Sequence, residues 1–521
     1  MNPQTPIPES SSTQQQFAVR LAEFRALRAR GALCTEVTEQ LAAEAASVFL
    51  SHYRERGEYL SEAITLLAEI ATLEEPCLAQ PGQQATFPVL VEHLSDSFEP
   101  QYCSLYDRAF AQMISVCRRL PSAQDLDHAL RRFGLHSEDD LLERKARLRQ
   151  RQPMLDGDAQ QKVRKVLVLS RVTLGADVAI TSVVWQKAKK VFPQAERILL
   201  GSPKLRELFG GDPSLRVREV RYETEGSLLG RLRNWLPLVE AVDDELRSLQ
   251  PGEYLLIDPD SRLLQLGLLP ALDDESRYFF FESRCFGEPG QGSLSEITLG
   301  WLHGQFGGPD KILPAVRLLD PDRVFARGLC RKLRQDGAEY LVAASFGVGG
   351  NPQKRLPDPL EQHLLLELLA EGCTVLLDKG FGKEEIGRAN DLIEQVRAKG
   401  WTVTELNPAS AQAATTAQSL GCRMLVWQGG IGAFSALVGE SDEYVGYDSA
   451  GQHIAAALGV PTLDLFSRNA SAVFQERWRP TGCGVVKTVT ECAPDGTPRP
   501  VRAILAEVMA QHREIRSAKQ T

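Results

Sequence analysis

The stretch YDSAGQHIAAALGVP, residues 447–461, places a carboxylate, a hydroxyl, two small residues and a histidine within six positions: Asp448, Ser449, Ala450, Gly451 and His453. Asp448 or Ser449 suits the N-cap of a short helix, Gly459 its C-terminal glycine, and Pro461 stops any extension. Such a helix start offers free amides and the positive end of a dipole, which hold anions. Asp448 would repel an anion unless it faces a cation or a hydroxyl, and a sugar or ribose hydroxyl suits it. His453 reads either as part of that site or as a histidine packed on a sheet.

Three other stretches carry related chemistry. In SFGVGGNPQKRLPDP, residues 345–359, Gly347, Gly349 and Gly350 permit a turn with exposed amides, and Lys354 and Arg355 add positive charge. A glycine loop with a cation is what a phosphate or diphosphate needs. The basic residue is not at the offset of a G-x-x-x-x-G-K-[ST] loop, and a solvated surface loop is the other reading. In WQGGIGAFSALVGES, Gly429, Gly430 and Gly432 precede a helix and let a nucleobase or ribose approach the backbone. In SRVTLGADVAITS, which lacks the G-x-G-x-x-G fingerprint, Asp177 stands near a helix start. It is either an N-cap or a general base. Together these parts specify a ligand with a diphosphate and several hydroxyls, and a nucleotide sugar fits.

The elements that must position these loops follow from periodicity. Residues 1–15 read as a disordered tail, and 16–155 as helical throughout, with LLERKARLRQRQ as an exposed charged helix or linker. At Lys165 the texture changes. KVLVL, RILLGS, LRVREV, YLLIDPD and RYFFFES are strand signals separated by helical stretches, giving an α/β domain over 160–335. EYLVAAS starts a second such domain, 336–490, with further strands in TVLLDKG, TVTEL, RMLVW, EYVGY and TLDLFS. An amphipathic helix at 498–517 closes the chain. Each chemistry-bearing loop follows a predicted strand, so all would face a cleft at the carboxyl ends of the strands.

The chain has 521 residues and a net charge of -9, so it is not built to coat nucleic acid. No apolar run is long enough to span a bilayer, and the first residues do not resemble a secretory signal. Ten scattered cysteines without a C-x-x-C pair read as reduced, mostly buried thiols of a cytoplasmic protein.

Three motifs then carry a resemblance to glycosyltransferase family 9, the ADP-heptose:lipopolysaccharide heptosyltransferases. VLSRVTLGADVAITSVVWQKAKKVFPQAE is similar to that family's Gly-Asp-Val loop and Phe-Pro helix end. SFGVGGNPQKRLPDP resembles its Lys-Arg-Trp-Pro segment, and DSAGQHIAAALGVP its Asp-[Ser/Thr]-Gly-x-x-His motif. The resemblance covers about 163–490. It implies a GT-B architecture of two Rossmann-like doubly wound domains, here behind an added all-helical domain. It further implies inverting transfer without a metal or other cofactor, from a nucleotide-sugar co-substrate such as ADP-heptose. Asp177 matches the family's base, Lys354 its donor-phosphate lysine, and Asp448, Ser449 and His453 its phosphate and ribose loop. Three departures stand out: Ala176 between Gly175 and Asp177, Leu356 for the tryptophan, and the glycine displaced to Gly451. The acceptor, whether glycan, lipid or protein, is not written in the sequence. Peripheral membrane contact and self-assembly through the helical domain stay open, as do a sugar-nucleotide epimerase and a non-catalytic nucleotide-sugar-binding descendant.

Overall fold

A computed structural model describes residues 9–151, 155, 157–222, 226–287, 290–349, 351–416, 419–493 and 495–520. The chain divides into two compact units. One combines residues up to 153 with 220–248 and 260–286; the other combines 154–219, 249–259 and 287–521. Among the described residues, no helix is long and apolar enough to cross a membrane.

The first unit is built on helices, among them Glu9–Ala29, Thr35–Arg56, Ser61–Ala71, Pro100–Cys117 and Glu138–Gln150. The first begins inside the segment read as a tail, because Phe17, Leu21 and Phe24 bury one of its faces and the helix extends back from them. Thr35–Arg56 stops at Gly57, whose φ of 70° is left-handed and whose N–H donates to the Tyr53 carbonyl. Ser61–Ala71 is the central helix: Ile64, Leu66, Leu67 and Ile70 are all fully buried. The stretches 220–248 and 260–286, read from sequence as part of the first α/β domain, pack here. Buried Trp235 donates its indole N–H to the Pro270 carbonyl at 2.6 Å and lies 5.8 Å from the Phe133 ring.

Glu138–Gln150 departs from the exposed helix expected of it. A Ser137–Asp140 capping box starts it, and Arg144 and Lys145 are buried. Arg144 donates to the Gly267 carbonyl at 2.7 Å, and Lys145 meets Glu282 at 3.0 Å and the Leu266 carbonyl. Buried cations persist when paired in this way. Cys103 and Cys285 form a disulfide, where the sequence reading expects reduced thiols; a separation of 182 residues leaves no local sign of the pairing.

The second unit holds two parallel sheets. In the first, β1 (Lys165–Leu169), β2 (Glu196–Gly201), β3 (Leu215–Glu219) and β4 (Tyr254–Asp258) lie in the order β3-β2-β1-β4. The short β5 (Tyr278–Phe280) belongs to the other unit. The second sheet contains β6 (Leu341–Ser345), β7 (Thr374–Asp378), β8 (Val403–Leu406), β9 (Met424–Trp427), β10 (Glu443–Tyr447), β11 (Thr462–Phe466) and β12 (Val486–Thr490), in the order β12-β11-β10-β6-β7-β9-β8. Strand β12 was not read from the sequence; its face is only half buried, so the apolar pattern there is weak.

Alternation sorts the side chains of the second sheet. Val342, Val445, Tyr447, Leu463 and Leu465 face a core shared with Leu364 and Leu368 of helix Leu360–Ala370 and Ile504 and Val508 of the C-terminal helix Val501–Gln520. The opposite face carries Ser345, Asp378, Tyr444, Gly446 and Asp464. Four of these pair in register across the sheet: Asp464 with Gly446, Gly446 with Ser345, and Ser345 with Asp378.

Candidate functional site

Helix Ala450–Leu458 follows β10 as expected, with Ser449 at the N-cap and Gly459 left-handed at φ 78°. The capping chemistry differs from the expectation: the Ser449 side chain accepts no hydrogen bond from the helix. Asp448 accepts instead from Gln452 at 2.9 Å through one oxygen and from Lys354 Nζ at 2.7 Å through the other. The cation that Asp448 needs is therefore the lysine of the glycine loop. Lys354 keeps about a third of its side chain exposed while Asp448 is nearly sealed, at 32% against 7%. The pair thus presents its positive half outward. Ser449 and Ala450 are half-buried, which leaves the first helical turn accessible.

Gly451 is placed where only glycine fits. A Cβ there would fall inside contact distance of the Tyr444 hydroxyl, which also lies against Gly446 and beside Ser345 and Ser449. That hydroxyl accounts physically for the displaced glycine. His453 is buried, edge-on to Trp478 at 5.9 Å, and burial lowers its pKa to about 4. It is a neutral, packed imidazole at pH 7.

The loop after β1 closes on this helix. A Cβ on Gly175 would lie 3.1 Å from His453 Cδ2 and 3.3 Å from Ala450 Cα. Two stretches far apart in sequence thus meet backbone to side chain. Asp177 sits two residues on, fully buried and inside a helical run, so it is not an N-cap. Its Oδ1 accepts from the Arg171 amide at 2.7 Å and Thr181 Oγ1 at 2.8 Å, and its Oδ2 from Ser170 Oγ at 2.8 Å. Burial pushes its pKa up to about 6, and those three donors limit the rise. Val172, at φ 79°, is the strained residue of this loop.

The remaining sequence-predicted residues go elsewhere. Arg355 pairs with Glu384 at 3.2 Å. Glu385 accepts from the amides of Val348 at 3.0 Å and Gly349 at 3.2 Å, and from Phe381 N–H at 3.0 Å, so it ties the loop after β6 to the loop after β7. The amides of Val348 and Gly349 are therefore satisfied within the protein. Gly430 lies against Glu207, which accepts from the Gly432 amide at 2.9 Å at the start of helix Ile431–Gly439. Gly350 lies outside the described residues.

Sequence reasoning missed the polar floor under helix Ala450–Leu458. Asp464 is fully buried, and burial drives its pKa well above the ordinary carboxylate value; neighbouring Asp448 raises it further and Lys354 lowers it. Burial likewise pushes Asp378 to about 6, against a hydrogen bond from Ser345 at 3.1 Å. The one signal available was an aspartate in the middle of the apolar run TLDLF, where a charge has no place unless something specific faces it.

No family model matches the chain, and no curated protein matches it in sequence. Among solved structures it is similar to the glycosyl transferase family 9 protein from Veillonella parvula DSM 2008, with 12% identity over 68% of this chain and 98% of that one and a TM-score of 0.49. It is also similar to the E. coli ADP-heptose lps heptosyltransferase II, with 16% identity over 68% and 100% and a TM-score of 0.45. A third similarity is to the E. coli heptosyltransferase WaaC with ADP, at 15% identity over 66% and 99% and a TM-score of 0.44.

Proposed function

We propose that the second unit is a glycosyltransferase that moves a sugar from a nucleotide diphosphate donor to an acceptor hydroxyl, with inversion. The observation that carries this reading is the meeting of three motif loops. Lys354 reaches Asp448 at 2.7 Å, and the Gly175 loop packs against Ala450 and His453. The donor's diphosphate sits at the start of helix Ala450–Leu458, where free amides, the helix dipole and Lys354 stabilise the leaving group. When the phosphate draws Lys354 away, the side-chain amide of Gln452 still holds Asp448.

Asp177 is the base in this reading. A carboxylate with a pKa near 6 is well matched to proton transfer near pH 7. Its burial sets a condition: the loop from Ser170 to Ala176 opens to admit the acceptor, or Ser170 Oγ, bonded to Asp177 at 2.8 Å, passes the proton on. The donor is a nucleotide heptose by the motif resemblance, and the leaving group's charge is met by the protein without a metal. The acceptor belongs to lipopolysaccharide or another glycoconjugate.

A panel of nucleotide sugars screened by thermal shift tests the reading, since a bound donor stabilises the fold by mass action. Any stabilising donor is then incubated with candidate acceptors, with and without EDTA, and transfer is followed by mass spectrometry. The expected result is selective stabilisation by one nucleotide-sugar class and EDTA-insensitive transfer. No stabilisation by any donor refutes the proposal.

A further inference from the structure

Among the described residues, Phe381 is the most exposed large apolar side chain, at 79%. Its position is not random. It stands in the loop after β7, between Gly380 at φ 78° and Gly382 at φ 83°, two left-handed residues that hold the loop tip out from the sheet. Lys204 Nζ lies over its ring, 4.5 Å from the centroid, and the rest of the ring is in solvent. The backbone below is fixed: Phe381 N–H donates to Glu385 at 3.0 Å, the same carboxylate that holds the loop after β6.

Strands β10, β6 and β7 are consecutive neighbours in the sheet. Neighbouring strands lie about 4.8 Å apart, so the carboxyl ends of β10 and β7 are separated by about 10 Å. That is the span from a diphosphate to the base of the same nucleotide. A diphosphate on the helix after β10 and on Lys354, which follows β6, places its nucleoside over β7 or over β11. On the β11 side the aromatic rings, Phe474 and Trp478, are largely packed away. On the β7 side an exposed ring is offered on a short, anchored loop.

We propose that Phe381 is the stacking platform for the donor's nucleobase, a donor-binding residue for the reaction proposed above, on which this inference rests. A flat π-face recognises a base by stacking and accepts any base, with purines favoured for their area. Lys204, already over the ring, adds a cation beside the ribose and phosphates.

Calorimetry of the full-length chain with two probes, ADP and inorganic pyrophosphate, tests this. Phe381→Ala is expected to weaken ADP roughly 10-fold or more while leaving pyrophosphate unchanged, and Phe381→Trp to retain ADP affinity. Unchanged ADP affinity in Phe381→Ala, or equal weakening of both probes, overturns the platform. Failure of both probes to bind the unaltered protein removes the nucleotide-sugar reading itself, and this inference with it.

Discussion

Replacing Asp177 by asparagine removes a charge from a fully buried position while keeping the side chain's shape. In the folded protein the carboxyl titrates near 6 rather than at its ordinary 3.8. Because the folded value is the higher one, the proton is held more tightly in the folded state. Stability from this group is complete below pH 3.8 and is lost as pH rises through 6. The gap corresponds to about 3 kcal/mol of destabilisation at pH 8, roughly half of which accrues between pH 5 and pH 8. Asparagine mimics the protonated acid. Its oxygen still accepts from the Arg171 amide and Thr181, and the Ser170 hydroxyl turns to accept from the new amide group. The stability of Asp177→Asn relative to the unaltered protein should therefore rise by about 1–2 kcal/mol from pH 5 to pH 8. Urea unfolding at four pH values, followed by the fluorescence of buried Trp185, measures this. A flat or falling difference refutes the argument that burial dominates the site. Transfer assays on the same variant separate the chemical roles. A loss of roughly 10²–10⁴ in turnover with intact donor binding identifies the base. Near-normal turnover leaves Asp177 as the residue that shapes the loop.

Lys354→Ala should weaken ADP or donor binding by about 1.5–3 kcal/mol in calorimetry, with a small change in melting temperature; unchanged affinity would return Lys354 to a surface role. Gly451→Ala should destabilise the protein by about 1–3 kcal/mol through the Tyr444 hydroxyl, and Tyr444→Phe should restore part of that loss in a double-mutant cycle. A chain beginning near residue 160 should fail to unfold cooperatively, since 220–248 and 260–286 lose their helical partners; a sharp calorimetric transition in that fragment would count against the division into units described above.

Strand–helix alternation showed both sheets, and the segments KVLVL, EYVGY and TLDLF became β1, β10 and β11 because they are short, largely apolar runs bounded by turn residues, even with Glu443 and Asp464 buried inside two of them. The helix after β10 was equally legible, through Ser449, Gly459 and Pro461. What the sequence could not show was allegiance. RLRNWLPLVEAVDDELRSL has the periodicity of any crossover helix, and nothing in it says that Trp235 packs against Phe133 rather than a sheet. The site was legible at Lys354 and Asp448 as residue types, but not as a pair 94 positions apart. Glu207 and Glu385 occupy amides that the glycine patterns alone left open, and carboxylates arriving from distant helices leave no local mark. Asp177 was legible as a candidate base or N-cap, and its burial was not legible, because the donors that surround it are ordinary serine, threonine and backbone groups.

The discontinuity of the first unit bears on the order in which the protein is made. The chain passes between the two units five times before Gly287. Its helical half leaves the ribosome first, yet Lys145 and Arg144 meet Glu282 and the Gly267 carbonyl only after those later residues have been added. By then β1 to β4 have also emerged. The usual sequence, in which an N-terminal domain folds before the next is synthesised, is closed to this chain. Nascent helices wait with buried-type charges and apolar faces exposed until the stretch ending at Phe286 has been added, and the second unit completes its core later still, when Ile504 and Val508 of the C-terminal helix arrive.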